Sequence, residues 1–505
     1  MSGSSSRPNE TVLLADLPDE VCAVYVFGED SLELLRHLTF PDGFLIGAAL
    51  SAHQHEGAWN ISNKGINLWD HYTHKHPEII DDNSNADVTS DFYHKYKEDI
   101  KLMKDIGLTH FRFSISWSRI FPSGLTSNPS KNGLRFYHNV LDELEKQDII
   151  PFVTIYHWDH PIVLETFGGW KNEGMAYVFA RYARFIFKEF GHRVKFFTTI
   201  NEPNISCEII YGTDHFGLKD SKSKSSKHLC IHNMLKAHAL AYHIYNNEFR
   251  KKQKGQVGIV IHCTAFYGKD KSDEKSADLA HTFECGEILH PIYSETGDYP
   301  VIMKKRIAEK SILEKLCKSN LPAFTKEWVN YIRGTADYLG INYYTAQIVQ
   351  PLPLSNQSTW PNDEGLIYSV DPQWPSAQTA WLKMKPEGLS KILRIVKEKY
   401  NNPPVYILEN GSGDGNGIDD DFKIKYLYSH MKETLVAIKK DKCNVKAYTI
   451  WSFLDGFEWF SGYQATFGLV KVDFKDKDRH RTPKKSAVWL KSVIKTGKLK
   501  LPNQD

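Results

Sequence analysis

Apolar, aromatic and β-branched residues gather in eight short runs along the chain: GFLIGAALSA, HFRFSISWSRI, IIPFVTIYHW, VKFFTTIN, QVGIVIHCTA, DYLGINYYT, PVYILE and KAYTIWSFL. Residues of this kind pack in strands. Between most of the runs lie segments such as DFYHKYKEDIKLMKDIG and GLRFYHNVLDELEKQD, where apolar residues recur at three- and four-residue spacing and predict helices. Eight strands with intervening helices point to an α/β fold, a single closed (β/α)8 TIM barrel whose long loops after the strands form the mouth. A doubly wound sheet is the competing architecture. It would carry a Gly-rich phosphate turn after its first strand, and GFLIGAALSAHQHEG contains no G-x-G-x-x-G. There is no internal repeat and no sign of a second domain. Residues 1–38 are expected to be a poorly ordered N-terminal extension, residues 39–500 the barrel, and DSKSKSSK at 220–227 a solvated loop.

Composition narrows the partners. Lys plus Arg number 63 against 61 Asp plus Glu. That balance gives no electrostatic reason to expect nucleic acid or an anionic membrane. No run of about 18 apolar residues predicts a membrane span. The start, MSGSSSRPNETVLLADLPDEV, lacks the basic and apolar stretches of a signal peptide, so a cytoplasmic location is expected if this N-terminus is complete, and a secreted or lysosomal one if a leader is missing. Sequons at Asn9, Asn60, Asn204, Asn356 and Asn410 are weak evidence for secretion, because two lie in segments that carry chemistry below. Seven scattered cysteines with no C-x-x-C pair suggest neither a disulfide framework nor a zinc ribbon.

The chemistry is concentrated where strands end. FFTTINEPN runs from strand-forming residues straight into Glu202, a carboxylate that must be desolvated or partnered at that position. Reading each predicted strand toward its C-terminal end gives Gln54, Arg112 within its strand, His157 with Trp158, Asn201 with Glu202, Asn342 with Tyr344, Glu409, and Trp451. Any one alone reads as a salt-bridge partner or a satisfied core residue. At the end of barrel strands, together, they read as an active site. Glu202 and Glu409, on the fourth and seventh strands, can face each other across the mouth. Two carboxyl groups flanking a bond, one protonated and one ionised, are the equipment of glycoside hydrolysis: one protonates the leaving oxygen, and the other attacks the anomeric carbon or activates a water.

With these residues in place, the chain resembles family 1 glycoside hydrolases, the β-glucosidase family, and within it the animal lactase-like, cytosolic β-glucosidase and insect myrosinase-like branch. The likeness runs from about Phe40 to Thr496 through SAHQHEGAW, FRFSISWSRIFP, YHWDHP, TINEP, GINYYT, LENG, and WSFLDGFEWFSGY followed by FGLVKVDF. It implies a retaining β-glucosidase with Glu202 as acid/base and Glu409 as nucleophile. Arg112 would sit beside Glu409 and lower its pKa, Tyr344 would donate to the same carboxylate, and Asn342 joins this catalytic set. Asn201 would bind the sugar 2-hydroxyl. Gln54, His157, Trp158 and Glu458 would contact the other hydroxyls, Trp451 would stack beneath the ring, and Trp459 would supply an indole N–H. Phe467 and Trp381 are expected at the site as well, Trp381 on the aglycone side or in the core.

The expected substrate is a small β-glucoside or oligosaccharide, bound by a monomer or homodimer without metal or cofactor. HYTHKH at 71–76 and HLCIH at 228–232 hold clustered histidines, but neither is paired with a distant second half of a metal site. KDKDRHRTPKK reads as solvated surface. His53, His55, His160, Leu408, Ser412 and Gly456 depart from the family's usual residues, and Gly456 stands where Asn is common. Two alternatives stay open. One is a non-catalytic glycan-binding or receptor-like member, which typically loses the carboxylates kept here. The other is a thioglucosidase, against which Glu208 would repel an anionic aglycone.

Overall fold

Each of the eight apolar runs becomes a strand: β1 (Leu45–Leu50), β2 (His110–Ser114), β3 (Ile150–Tyr156), β4 (Phe196–Asn201), β5 (Gln256–His262), β6 (Tyr338–Asn342), β7 (Val405–Asn410) and β8 (Val445–Trp451). In the computed structural model, which describes residues 38–219, 225–352, 362–415 and 417–502, these strands pair in parallel in sequence order and close, β8 against β1. The expected extension at residues 1–38 falls outside the described residues except for Leu38, as does most of the expected loop at 220–227. The principal helices are α1 (Phe92–Ile106), α2 (Lys131–Lys146), α3 (Gly174–Phe190), α4 (Ser226–Ile244), α5 (Glu274–Glu284), α6 (Glu387–Lys399), α7 (Asp421–Lys439) and α8 (Lys485–Thr496). Parallel strands need such crossovers, and the helices bury the outer face of the barrel. In α2, Phe136, Tyr137, Val140, Leu141 and Leu144 form the buried stripe that the spacing predicts.

Apolar side chains from the strands fill the barrel. Phe152, Val260, Tyr338, Tyr406, Leu408 and Ala447 pack together with Leu45 and Phe196 against them. The Phe152 and Phe196 rings stack at 4.2 Å, and Tyr338 meets Tyr406 edge-on at 4.9 Å. This apolar floor excludes water from below, so anything polar above it is either partnered or costly. Loops after β5 and β6 contribute a small separate sheet of Ala265–Gly268, Ala346–Pro351 and Leu366–Ser369.

Two expectations need correction. Four of the seven scattered cysteines pair: Cys207 bonds to Cys230 and Cys263 to Cys285, with Cα–Cα distances of 5.7 and 5.8 Å. Each pair joins residues some twenty positions apart that only the folded chain brings together, so no spacing motif announces it. KDKDRHRTPKK is not all solvated. Arg481 is buried and grips Asp99 of α1 through Nε and Nη2 at 2.8 and 2.9 Å, and buried Lys484 meets Asp455 at 2.9 Å. Two of the five sequons are interior: Asn204 and Asn410 are buried, and their amides donate to the carbonyls of His262 and Tyr343 at 2.9 and 2.7 Å.

Breaking a buried ion pair from one side leaves the other charge stranded. Arg481→Leu is therefore expected to lower unfolding stability by about 3–5 kcal/mol, seen as a drop in the denaturant midpoint, whereas Lys477→Leu in the same run leaves the midpoint within about 0.5 kcal/mol.

Candidate active site

Two slips in strand register aim the carboxylates. Along a regular strand side chains alternate between faces, and Leu408 already packs inside the barrel. Pairing of β7 slips against β6 between Ile407 and Glu409, and against β8 between Ile407 and Asn410. An irregularity of this kind re-aims the next side chain, so Glu409 also turns inward. On β4 the pairing with β5 slips between Thr198 and Asn201. Glu202 follows in the left-handed region at φ 46°, a conformation that costs a residue with a Cβ about 1–3 kcal/mol. Its N–H is tied to the Val260 carbonyl of β5 at 2.9 Å.

Arg112 binds the two sides together. Its Nη1 donates to Glu409 Oε1 at 2.5 Å and to the Leu408 carbonyl at 3.1 Å, Nη2 to Asn201 Oδ1 at 2.6 Å, and Nε to Thr154 Oγ1 at 3.2 Å. The other oxygen of Glu409 accepts from the Tyr344 hydroxyl at 2.7 Å. Glu202 Oε1 accepts from Asn342 Nδ2 at 2.7 Å, and His262 Nδ1 lies 3.4 Å from the same atom. Burial pushes the Glu409 carboxyl up to about 7; Arg112 pulls against that, and the neighbouring Glu202 adds to it. The cation thus acts in the expected direction, but desolvation outweighs it. Burial likewise drives Glu458 up to about 8 and holds His157 well below its ordinary value, so that the imidazole is neutral.

Above these groups opens a cavity of about 320 Å³. Of the expected residues, Gln54, His157, Trp158, Glu202, Tyr344, Trp381, Glu409, Trp451, Glu458, Trp459 and Phe467 line it. Arg112, Asn201 and Asn342 stand one layer beneath, hydrogen-bonded to the carboxylates or to one another. Gln54 Nε2 donates to Glu458 Oε2 at 3.3 Å, and Trp158 and Trp459 stack at 4.6 Å. Trp381 is half exposed at the mouth rather than in the core. Among the described residues no group of three or more His, Cys, Asp or Glu is arranged to hold a metal; His228 instead bridges Glu287 and Asp363 at 2.6 and 2.9 Å, and Cys230 is taken by its disulfide. No helix among the described residues is long and apolar enough to cross a membrane.

The sequence pattern of Glycosyl hydrolase family 1 matches residues 36–499. The chain belongs to this family. It is 43% identical to Myrosinase 1 of Brevicoryne brassicae, covering 91% of this chain and 99% of that one, and 37% identical to the cytosolic β-glucosidase of Homo sapiens, covering 92% and 99%. Among solved structures, an aphid myrosinase superposes with a TM-score of 0.86 at 43% identity over 91% of this chain and 100% of that one. A rice β-glucosidase mutant in a covalent complex with Glc superposes at 0.84 with 34% identity over 90% and 99%.

The residues expected to depart from the family 1 pattern sit in defined surroundings. His55 is buried beneath the site, its Nε2 3.2 Å from the Leu454 carbonyl and its ring edge-on to Trp451 at 5.7 Å. A Cβ at Gly456 would collide with that imidazole, so the larger residue at 55 and the missing side chain at 456 fit one another. His53 stacks on Trp459 at 6.0 Å and meets Asn67 at 3.2 Å. His160 contacts Glu165 at 2.7 Å and the Tyr156 hydroxyl at 2.9 Å. Leu408 belongs to the barrel floor, and Ser412 is buried. Glu208 is outside the cavity wall and pairs with Lys227 at 2.9 Å.

Six lining residues were not anticipated: Ile205, Ile209, His262, Thr264, Thr345 and Gln347. His262 ends β5, and the strand-end criterion applied to the other strands would have found it. Ile205 and Ile209 follow β4 within helical turns and carry no sequence signal.

The fit between positions 55 and 456 is open to a double-mutant cycle. Gly456→Asn is expected to cost about 1–3 kcal/mol through overpacking. Adding His55→Val recovers part of it, giving a coupling energy of at least about 0.5 kcal/mol in thermal or denaturant unfolding.

Proposed function

We propose that the chain is a retaining β-glucosidase, removing the terminal β-D-glucosyl residue from small glucosides or oligosaccharides through a covalent glycosyl-enzyme. The observation that carries this reading is the unequal setting of two carboxyl groups on one cavity. Glu409 has a cation on one oxygen and a phenol on the other, donors that favour an anion and hold it for attack. Among the described residues, the donors at Glu202 converge on Oε1, which leaves Oε2 for the leaving oxygen. The mechanism gives Glu202 the acid/base role and Glu409 that of nucleophile.

In the first step Glu202 Oε2–H protonates the glycosidic oxygen as Glu409 bonds to the anomeric carbon and the C–O bond to the aglycone breaks. In the second, ionised Glu202 takes a proton from water, the hydroxyl attacks the same carbon, and Glu409 leaves. Gln54, His157 and Glu458 supply directional contacts to sugar hydroxyls, Asn201 reaches the 2-hydroxyl, and Trp451 and Trp459 offer apolar and N–H surfaces. β-Glucose is the preferred sugar, with β-fucose and β-galactose as secondary substrates. The rice relative, trapped with Glc covalently attached, supports the two-step course.

A thioglucosidase activity is the second reading. It is favoured by the identity with the aphid myrosinase and by the Glu208–Lys227 pair, which offsets the repulsion expected from Glu208 toward an anionic aglycone. Rates on p-nitrophenyl β-glucoside and on a sulfated thioglucoside separate the two, and the O-glucoside is expected to be the better substrate by 100-fold or more in kcat/KM (about 2.7 kcal/mol).

The two carboxylates are distinguished by rescue. Glu409→Ala with azide is expected to yield the inverted α-glycosyl azide, and Glu202→Ala with azide and a good aryl leaving group the β-glycosyl azide, both read by NMR. The same anomer from both variants refutes the roles. A substrate-bound structure should place the carboxyl groups roughly 5–5.5 Å apart; a separation of roughly 6.5–9.5 Å would require an inverting enzyme.

A further inference from the structure

We infer that His262, at the C-terminal end of β5, is a positioning residue that fixes which oxygen of Glu202 carries the proton delivered to the leaving group. This rests on the glycosidase reading above. A carboxylic acid has one oxygen that only accepts and one that donates. Asn342 Nδ2 donates to Glu202 Oε1 at 2.7 Å, and His262 Nδ1 stands 3.4 Å from the same oxygen. With Oε1 committed to accepting, the acidic proton belongs on Oε2.

The far side of the ring decides its protonation. His262 Nε2 is 3.4 Å from Thr264 Oγ1, whose own proton is given to Glu284 Oε1 at 2.8 Å, while the Thr264 N–H holds Glu284 Oε2 at 2.7 Å. Thr264 Oγ1 is then an acceptor toward the ring, which calls for a proton on Nε2, and a second proton on Nδ1 would make His262 an imidazolium facing Glu202 Oε1. It lies parallel to the Tyr344 ring at 6.0 Å. The charged groups around it are Glu202 after β4, Glu284 of α5 and Glu409 of β7, with Lys227 of α4 acting on Glu284. Burial works against its charge, but those carboxylates hold its pKa above the ordinary value. Glu284, Thr264 and His262 thus form one hydrogen-bonded line, anchored in α5, that reaches to 3.4 Å from the Glu202 carboxyl.

A residue that aims the acid matters in proportion to how much protonation the leaving group needs; a residue that merely supports the fold does not. The test is kcat/KM for wild type, His262→Leu and His262→Asn on phenyl and 2,4-dinitrophenyl β-glucosides. In His262→Leu the phenyl glucoside is expected to lose about 10–100-fold and the dinitrophenyl glucoside less than about 3-fold, within the range that general acid catalysis supplies. The Asn amide, which can replace the Nδ1 donor, is expected to recover most of the phenyl loss. Equal losses on both substrates, no loss on either, or no recovery in His262→Asn would overturn the inference and leave the glycosidase reading standing. A wild type that cleaves no β-glycoside overturns that reading itself, and this one with it.

Discussion

The Arg112 guanidinium is the interaction on which the mouth of the barrel depends. A buried cation is tolerated only where its donors are used and its charge is matched. Here the donors are shared among Glu409, the Leu408 carbonyl, Asn201 and Thr154, so one side chain on β2 ties together the ends of β3, β4 and β7. The register slips on β4 and β7 are the backbone's answer to the same demand. Without them Glu409 would face the helices, and Asn201 could not reach the guanidinium.

Around that cation the site gathers more carboxyl groups than positive charges. Glu202, Glu284, Glu409 and Glu458 are all buried or nearly so, and burial drives Glu409, Glu458 and Glu284 toward the protonated form. Arg112 is set against Glu409, Lys227 acts on Glu284, and His262 faces Glu202. The apolar floor below, built on Phe152, Tyr338 and Tyr406, keeps the screening weak, so small differences in donors separate the two proposed catalytic groups. Glu409 has a charged donor and a phenol, whereas Glu202 has an amide and an imidazole.

The histidines at 53, 55 and 160 are each accommodated by partners inside the fold. His55 and Gly456 exchange volume across a contact. His53 and His160 each find polar partners inside the fold. Gln54, between the first two, keeps its bond to Glu458. His55 lies against Trp451 and His53 against Trp459, so these two support the cavity wall without lining it.

Much of this was legible in order along the chain. Strand and helix periodicity set the eight strands and hence the barrel, because a parallel closed sheet is the natural way to bury eight such runs with helices between them. Polar residues at strand ends located most of the cavity wall, since only there does a buried strand meet solvent. Tertiary structure alone decided the rest. The pairing of Cys207 with Cys230, the burial of Arg481 and Lys484 within a run that reads as solvated, and the fit of His55 to Gly456 join residues far apart in sequence, and no local pattern encodes a distant partner. The direction of the Glu409 pKa belongs here too: sequence shows the neighbouring Arg112, but the desolvation that outweighs it exists only once the barrel has closed.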